Sequence, residues 1–279
     1  HAEMQADHAR VLGDDGVEHI AAALASRREG GESSVTALNL SDNGVGYRGA
    51  LAMSEALRVT ERLTSLDGVG MSGTYFKQLR GVDPVRTLDL KGLGDADSVI
   101  IAALLGANTT LTALDLGTSS NHMGKQWGRA VSDALSTNTV LTSLNLGSNG
   151  LGDKGGAAVA EALHGHNFKI QALDVSSNRL GRASGRAFAG VLANEPNLTS
   201  INMGHNDLGD ASGRTLLEAV ARNNTLTSLD LSYTRLGESV VEEGNKNDAS
   251  PSPPVKPKRP EVKGDTAVQS QAAGAAKPG

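Results

Sequence analysis

The chain has no cysteine, and among its 279 residues only three are Phe, three Tyr and one Trp. The missing cysteine excludes disulfide scaffolds, cysteine-ligated zinc and thiol catalysis. The shortage of aromatics argues against a large single core built on aromatic clusters. Long apolar runs are also lacking. The longest uncharged one, at 98–107, is about half the ~20 residues a membrane helix needs. Positive charge is not in excess: the formal net charge is −5, which argues against a nucleic-acid partner. Glycine is abundant instead, at 34 residues. So much glycine with so few aromatics is unusual for an ordered chain and requires an explanation.

Internal repetition supplies it. The chain reads Val35-Thr-Ala-Leu38-Asn-Leu40, then Leu63-Thr-Ser-Leu66, then Val85-Arg-Thr-Leu88-Asp-Leu90. Leu111-Thr-Ala-Leu114-Asp-Leu116 and Leu141-Thr-Ser-Leu144-Asn-Leu146 follow. Ile170-Gln-Ala-Leu173-Asp-Val175, Leu198-Thr-Ser-Ile201-Asn-Met203 and Leu226-Thr-Ser-Leu229-Asp-Leu231 complete the series. The starts lie 28, 22, 26, 30, 29, 28 and 28 residues apart. This is an L-x-x-L-x-L pattern at a leucine-rich-repeat period.

The second half of each unit carries an i, i+3, i+4, i+7 stripe, the mark of an amphipathic helix. It appears as Gly156, Val159, Ala160, Leu163 and as Gly185, Phe188, Ala189, Leu192. It recurs as Gly213, Leu216, Leu217, Val220, as Ser98, Ile101, Ala102, Leu105, and near the start as Val17, Ile20, Ala21, Leu24. Each unit is thus expected to be a strand, a turn, a helix and a loop. One unit cannot bury its apolar face alone, so neighbours stack. Small stripe residues are expected to let helix and strand approach. Gly152, Gly181, Gly209 and Gly237 each follow a Leu at the strand-to-helix turn, where a positive φ is expected.

These motifs resemble the ribonuclease-inhibitor-like class of leucine-rich repeats over about residues 11–243. The resemblance implies an α/β fold. It is a curved solenoid with a parallel β-sheet on the concave face and α-helices on the convex face. It also implies a buried Asn ladder at Asn43, Asn149, Asn178 and Asn206 that satisfies turn backbone groups. Protein binding is the function it implies first. Regulation of a small GTPase, as by the Ran-directed activator, and the sensor region of a NOD-like receptor are its alternatives.

Three units depart from the pattern. The unit from Leu63 is short and runs into Gly68-Val-Gly-Met-Ser-Gly73. The next has Leu93 in the Asn position, and in the unit from Leu111 the Asn is displaced by two places to Asn121. A change of curvature or a bulged loop is expected there. Drift and a specificity loop are both open readings. Residues 1–34 read as a partial repeat, the helix half of a truncated N-terminus. Residues 35–244 hold about eight repeats. Residues 245–279 carry six of the eight prolines and six Lys or Arg against three Asp or Glu. That tail is expected to be disordered. A cytoplasmic location is expected, with a nuclear one open because of the basic tail.

No catalytic, cofactor or metal site stands out. Gly68-x-Gly70-x-x-Gly73 matches a dinucleotide fingerprint, but too few residues follow before the next strand for a typical βαβ unit. His164-Gly-His166 sits at a helix end, in the loop leading to Ile170, with no carboxylate cluster of ligand spacing beside it. The chain therefore reads as a non-enzyme.

The groove is better defined. The fifth position of each L-x-x-L-x-L points away from the core. Down the stack it reads Asn39, Asp67, Asp89, Asp115, Asn145, Asp174, Asn202 and Asp230. Asp67, Asp89 and Asp115 are consecutive and are expected to repel one another. A protein partner with a basic surface would relieve that repulsion. Anchors are expected at the C-terminal rim, at Arg179, His205, Tyr233 and Arg235, with Trp127 as a further candidate that could simply pack. In the tail, Pro254, Pro257 and Arg259 form a PxxPx(+) ligand for an SH3-type domain. A plain tether, or a tail folded back on the groove, are the other readings.

Overall fold

The computed structural model describes residues 11–26, 34–68, 71–90, 93–117, 124–164, 169–237 and 261–263. Helices and strands alternate along the chain. They are α1 (Gly13–Ala25), β1 (Ala37–Asn39), α2 (Tyr47–Val59), β2 (Ser65–Asp67), α3 (Gly73–Arg80), β3 (Thr87–Asp89), α4 (Asp95–Ala107) and β4 (Ala113–Asp115). There follow α5 (Gly124–Thr137), β5 (Ser143–Asn145), α6 (Gly152–Ala162), β6 (Ala172–Asp174), α7 (Arg182–Asn194), β7 (Ser200–Asn202), α8 (Gly209–Arg222), β8 (Ser228–Asp230) and β9 (Glu261–Lys263). The fold is an α/β leucine-rich-repeat solenoid.

Each strand is three residues long, and strands pair in parallel at equal positions, as in Leu144↔Leu173 and Asn145↔Asp174. The middle residue faces the core. Leu66, Leu114, Leu144, Ile201 and Leu229 are all buried. So is the apolar residue just after the strand, from Leu40 to Leu231. The helix stripes close the other side, with Val159, Leu163, Phe188, Leu192 and Leu216 fully buried. Leu and small residues fill most of this layer, and Phe76, Trp127 and Phe188 supply its few aromatic side chains.

The stripe glycines serve a different contact from the one expected. A Cβ on Gly128 would lie 2.4 Å from Gly155 Cα, and one on Gly185 would lie 2.6 Å from Ser212 Cβ. These residues belong to the next helix in the stack. Glycine therefore sets the helix–helix spacing rather than the helix–strand spacing. The turn glycines also differ. Gly152 and Gly209 have φ of 66° and 70°. Gly181 has φ of −121°, and Gly237 is not among the positive-φ residues. Their amides instead donate to an aspartate of the preceding unit: Gly181 to Asp153 Oδ1 and Gly237 to Asp210 Oδ1.

Side chains of one unit satisfy backbone groups of another throughout the stack. The expected ladder is present at Asn149, Asn178 and Asn206, which are buried, whereas Asn43 is only half-buried and its Oδ1 accepts from Leu12 N. Asn206 Nδ2 donates to the carbonyls of Val175, Met203 and Gly204. Its Oδ1 accepts from the amides of Asn178 and Leu180. Asn178 Oδ1 likewise accepts from Asn149 and Leu151. Thr234 takes the position in the last unit, buried, with its hydroxyl on Leu231 O. Asn149 Oδ1 has no partner among the described residues.

The stack has one break. β1 and β2 form a two-stranded sheet, and β3 to β9 form a seven-stranded one. The break falls at the 22-residue unit, whose ladder position holds Met71 in place of Asn. This unit has room only for the eight-residue α3, and α2 packs directly on α4. Gly68 shows how tightly the chain leaves β2. It has φ of 86°, and a Cβ there would lie 2.0 Å from Ser41 N. That explains the first glycine of the apparent dinucleotide motif without a nucleotide.

In the tail expected to be disordered, residues 261–263 form β9 beside β8. The remaining tail residues lie outside the described ones.

Replacing Asn206 by Ala leaves five buried backbone groups without this partner. Each unsatisfied group costs about 1–3 kcal/mol. Urea denaturation of Asn206→Ala should show a loss on the order of 3 kcal/mol or more. A loss under about 1 kcal/mol would show that the ladder does not hold the stack.

Candidate functional site

The third residue of each strand forms the concave column. Asn39, Asp89 and Asp115 are exposed, and Asp67, Asn145, Asp174, Asn202 and Asp230 are half-buried. Most of these side chains have a local task. Oδ1 of Asn39, Asp115, Asn145, Asp174, Asn202 and Asp230 accepts from the backbone amide two residues on, at 2.8–3.0 Å. Each closes its own turn. An oxygen acceptor is all the turn requires, so Asp and Asn serve equally there.

The column is therefore not a continuous ridge of repelling carboxylates. The sheet break separates Asp67 from Asp89. Of the expected acidic triplet, only Asp89 and Asp115 are paired neighbours. Further along, amides alternate with acids, and Asn202 Nδ2 donates to Asp174 Oδ2 at 2.8 Å. Negative charge on paired strands is thus most concentrated over β3 and β4. A shallow hollow of about 580 Å³ lies there, lined by Thr87, Asp89, Ala113, Asp115, Ser143 and Asn145.

The rim is built from the turns between strand and helix. Arg179, His205, Tyr233 and Arg235 are all exposed, and all four have φ between 54° and 61°. The position of His205 and Tyr233 holds Asp42, Ser148 and Ser177 in other units. The position of Arg179 and Arg235 holds Gly44 and Gly150. A left-handed non-glycine residue costs about 1–2 kcal/mol, and the last three units carry large side chains in spite of it. The His205 and Tyr233 rings stack with centroids 4.5 Å apart and planes 15° apart. Arg235 Nη1 donates to Asp207 Oδ2 at 3.2 Å. The turns are tied across units: Ser177 N to Gly204 O, and His205 N to Ser232 O at 2.7 Å. The rim is pre-organised, and the structure brings its candidates together in adjacent turns.

Other candidates resolve differently. Trp127 is fully buried in α5, so it packs and is not an anchor. His164 is exposed and its Nδ1 lies 3.2 Å from Glu195 Oε1, while His166 lies outside the described residues. Among the described residues no group of three His, Asp or Glu could hold a metal ion, and no helix is long and apolar enough to cross a membrane. Pro254, Pro257 and Arg259 lie outside the described residues.

Sequence reasoning missed two sets of residues. Asn108, Asn138 and Asn223 sit where helix turns into strand. Asn138 Nδ2 donates to Leu105 O at 2.7 Å, and its Oδ1 accepts from Val140 and Leu141. The signal was an Asn-x-x-Leu that recurs before β4, β5 and β8. The second set surrounds the sheet break. Arg80 reaches back to the carbonyls of Leu57 and Thr60 at the end of α2, and burial lowers its pKa. Asp97 is buried at the start of α4, where Oδ2 accepts from Gly94 N at 2.9 Å. Burial pushes its carboxyl up to about 6, against the amides of Gly94, Met71 and Asp97 itself. Its Oδ1 has no hydrogen-bond partner among the described residues.

Comparison with a family model supports the repeat. A family model described as Leucine Rich repeat matches residues 32–54, 137–160, 166–189, 194–217 and 222–239. The chain therefore carries leucine-rich repeats in sequence as well as in fold. No curated protein matches. Among solved structures, leiomodin-1 actin-binding site 2 is 18% identical with a TM-score of 0.39, covering 62% of this chain and 86% of that one. An internalin (inlF) from Listeria monocytogenes is 17% identical with a TM-score of 0.41, covering 91% of this chain and 51% of that one. The Rad7 and Elc1 complex of yeast is 14% identical with a TM-score of 0.32, covering 85% and 77%. No binding property is carried over from these structures.

The Asp97 carboxyl gives a pH prediction. Unfolded, it ionises near 3.8; folded, near 6. Between those values the folded chain keeps a proton that the unfolded chain loses, so this group's contribution to stability falls as pH rises. Thermal melts at intervals between pH 4 and pH 7 should show Asp97→Asn more stable than wild type at pH 7. The gap should close near pH 4. A gap independent of pH would contradict this role.

Proposed function

We propose that the chain is a non-catalytic protein-binding scaffold. The partner lies against the concave column and is anchored at the C-terminal rim. The observation that carries this reading is the rim itself. Four large polar or aromatic side chains occupy left-handed turn positions that hold Gly, Ser or Asp in other units. Two of them stack in the open, with Tyr233 50% exposed. Tyr and Arg are the residue types that dominate binding energy. Strained turns tied across units present them with little left to order on binding. The carboxylates over β3 and β4 favour a partner segment of positive charge. The 28–29-residue spacing with a helix in each regular unit supports the ribonuclease-inhibitor-like subtype.

Peptides selected from a displayed random library against the full chain test this. His205→Ser with Tyr233→Ser copies Ser148 and Ser177 at the same turn position, so the fold should persist. Rim-selected peptides should lose ten-fold or more in affinity. Asp89→Asn with Asp115→Asn keeps an acceptor oxygen in the column and removes the charge. Basic peptides should bind that variant more weakly, with a flatter salt dependence. Selected peptides that bind wild type and both variants equally would refute the reading.

A further inference from the structure

A parallel stack ends in an edge strand whose unpaired N–H and C=O groups invite another strand. At the C-terminal end that strand would be β8. It is covered instead by β9, from the chain's own Pro- and Lys-rich tail. The register is Ser228↔Glu261, Leu229↔Val262 and Asp230↔Lys263. It is the same first-to-first, middle-to-middle, third-to-third relation as in the β7–β8 pair.

The pattern of the segment suits that place. Val262 takes the middle position, held by Leu or Ile in β1 to β8. Lys263 takes the third position, held by Asp or Asn in β1 to β8, and so stands next to Asp230 in register. The residue types are those expected of a strand that ends a sheet. It is three residues long, Pro260 precedes it, and its last residue is a lysine. Short length, an entering proline and a lysine all discourage a further strand from pairing. Thirty residues separate Asp230 from Glu261, enough for the crossover that parallel pairing requires.

We propose that Glu261–Lys263 is the C-terminal cap of the solenoid, seated on β8 of the same chain. It keeps extended peptides off that edge. The tail then acts at the end of the sheet rather than by filling the groove. Its sequence mimics a ninth repeat strand, with the charge of the column reversed.

Hydrogen exchange by mass spectrometry on the full chain tests the cap. In Val262→Pro the peptide covering 226–234 should exchange at least ten-fold faster than in wild type. The peptide covering 198–206 should be unchanged, which separates loss of the cap from unfolding. A synthetic peptide of residues 254–267 added to the Val262→Pro chain should restore protection, and the same peptide carrying Val262→Pro should not. Protection in wild type should be independent of protein concentration. Equal exchange in wild type and variant, or no rescue by the native peptide, would overturn the cap. Protection lost on dilution together with a dimer in light scattering would overturn its placement on the same chain.

Discussion

The structure depends on one constraint: the backbone of each turn is completed by a side chain from a neighbouring unit. Buried amides and carbonyls must be paired, and a unit of fewer than thirty residues has no interior of its own in which to pair them. Three devices meet this need. Asn178 and Asn206 link the strand-to-helix turns. Asn108, Asn138 and Asn223 close the helix ends of preceding units. Asp14, Asp153 and Asp210 bind the amides that begin the next unit's helix or its equivalent. Asp153 is the most fully engaged of the last group. Burial raises its pKa, but the amide and hydroxyl of Ser184 and the amides of Ala183 and Gly181 outweigh burial and lower it. Stability therefore resides in the joints, as expected of a repeat array.

The joint between β2 and β3 is made differently. The short unit supplies only the eight-residue α3, and its strand β2 pairs with β1 but not with β3. Arg80 ties the short unit back to α2, and Asn108 at the end of α4 ties α3 to the following unit. The concave surface is thus two surfaces, and the larger, from β3 onward, carries the paired carboxylates and leads to the rim.

Much of this was legible in the sequence. Strand alternation and helix stripes depend only on local periodicity, so the buried Leu columns followed from spacing, while the Asn ladder came from the resemblance to ribonuclease-inhibitor-like repeats. His205 and Tyr233 are one 28-residue period apart, which makes them neighbours in any regular stack. Their left-handed backbone was not legible, because no glycine marks it. The unit length exposed an irregularity at 63–90, but not which joint would open. The fifth-position acids were read as a repelling surface because charge is visible in a sequence and a turn amide is not. The interchange of Asp with Asn was the available signal. β9 was hidden by composition. Proline and lysine suggested a tail without structure, while the decisive feature was a single valine at the right place in a strand register.

The central claim is that strength lies in the side-chain-linked joints and that the β2–β3 joint is the exception. Residue-resolved native-state hydrogen exchange in rising denaturant tests it most directly. The account predicts that amides from Leu146 to Asn206 open only with global unfolding. Those of β1 and β2 should open together at a lower free energy. A single opening free energy from β1 to β8 would contradict it.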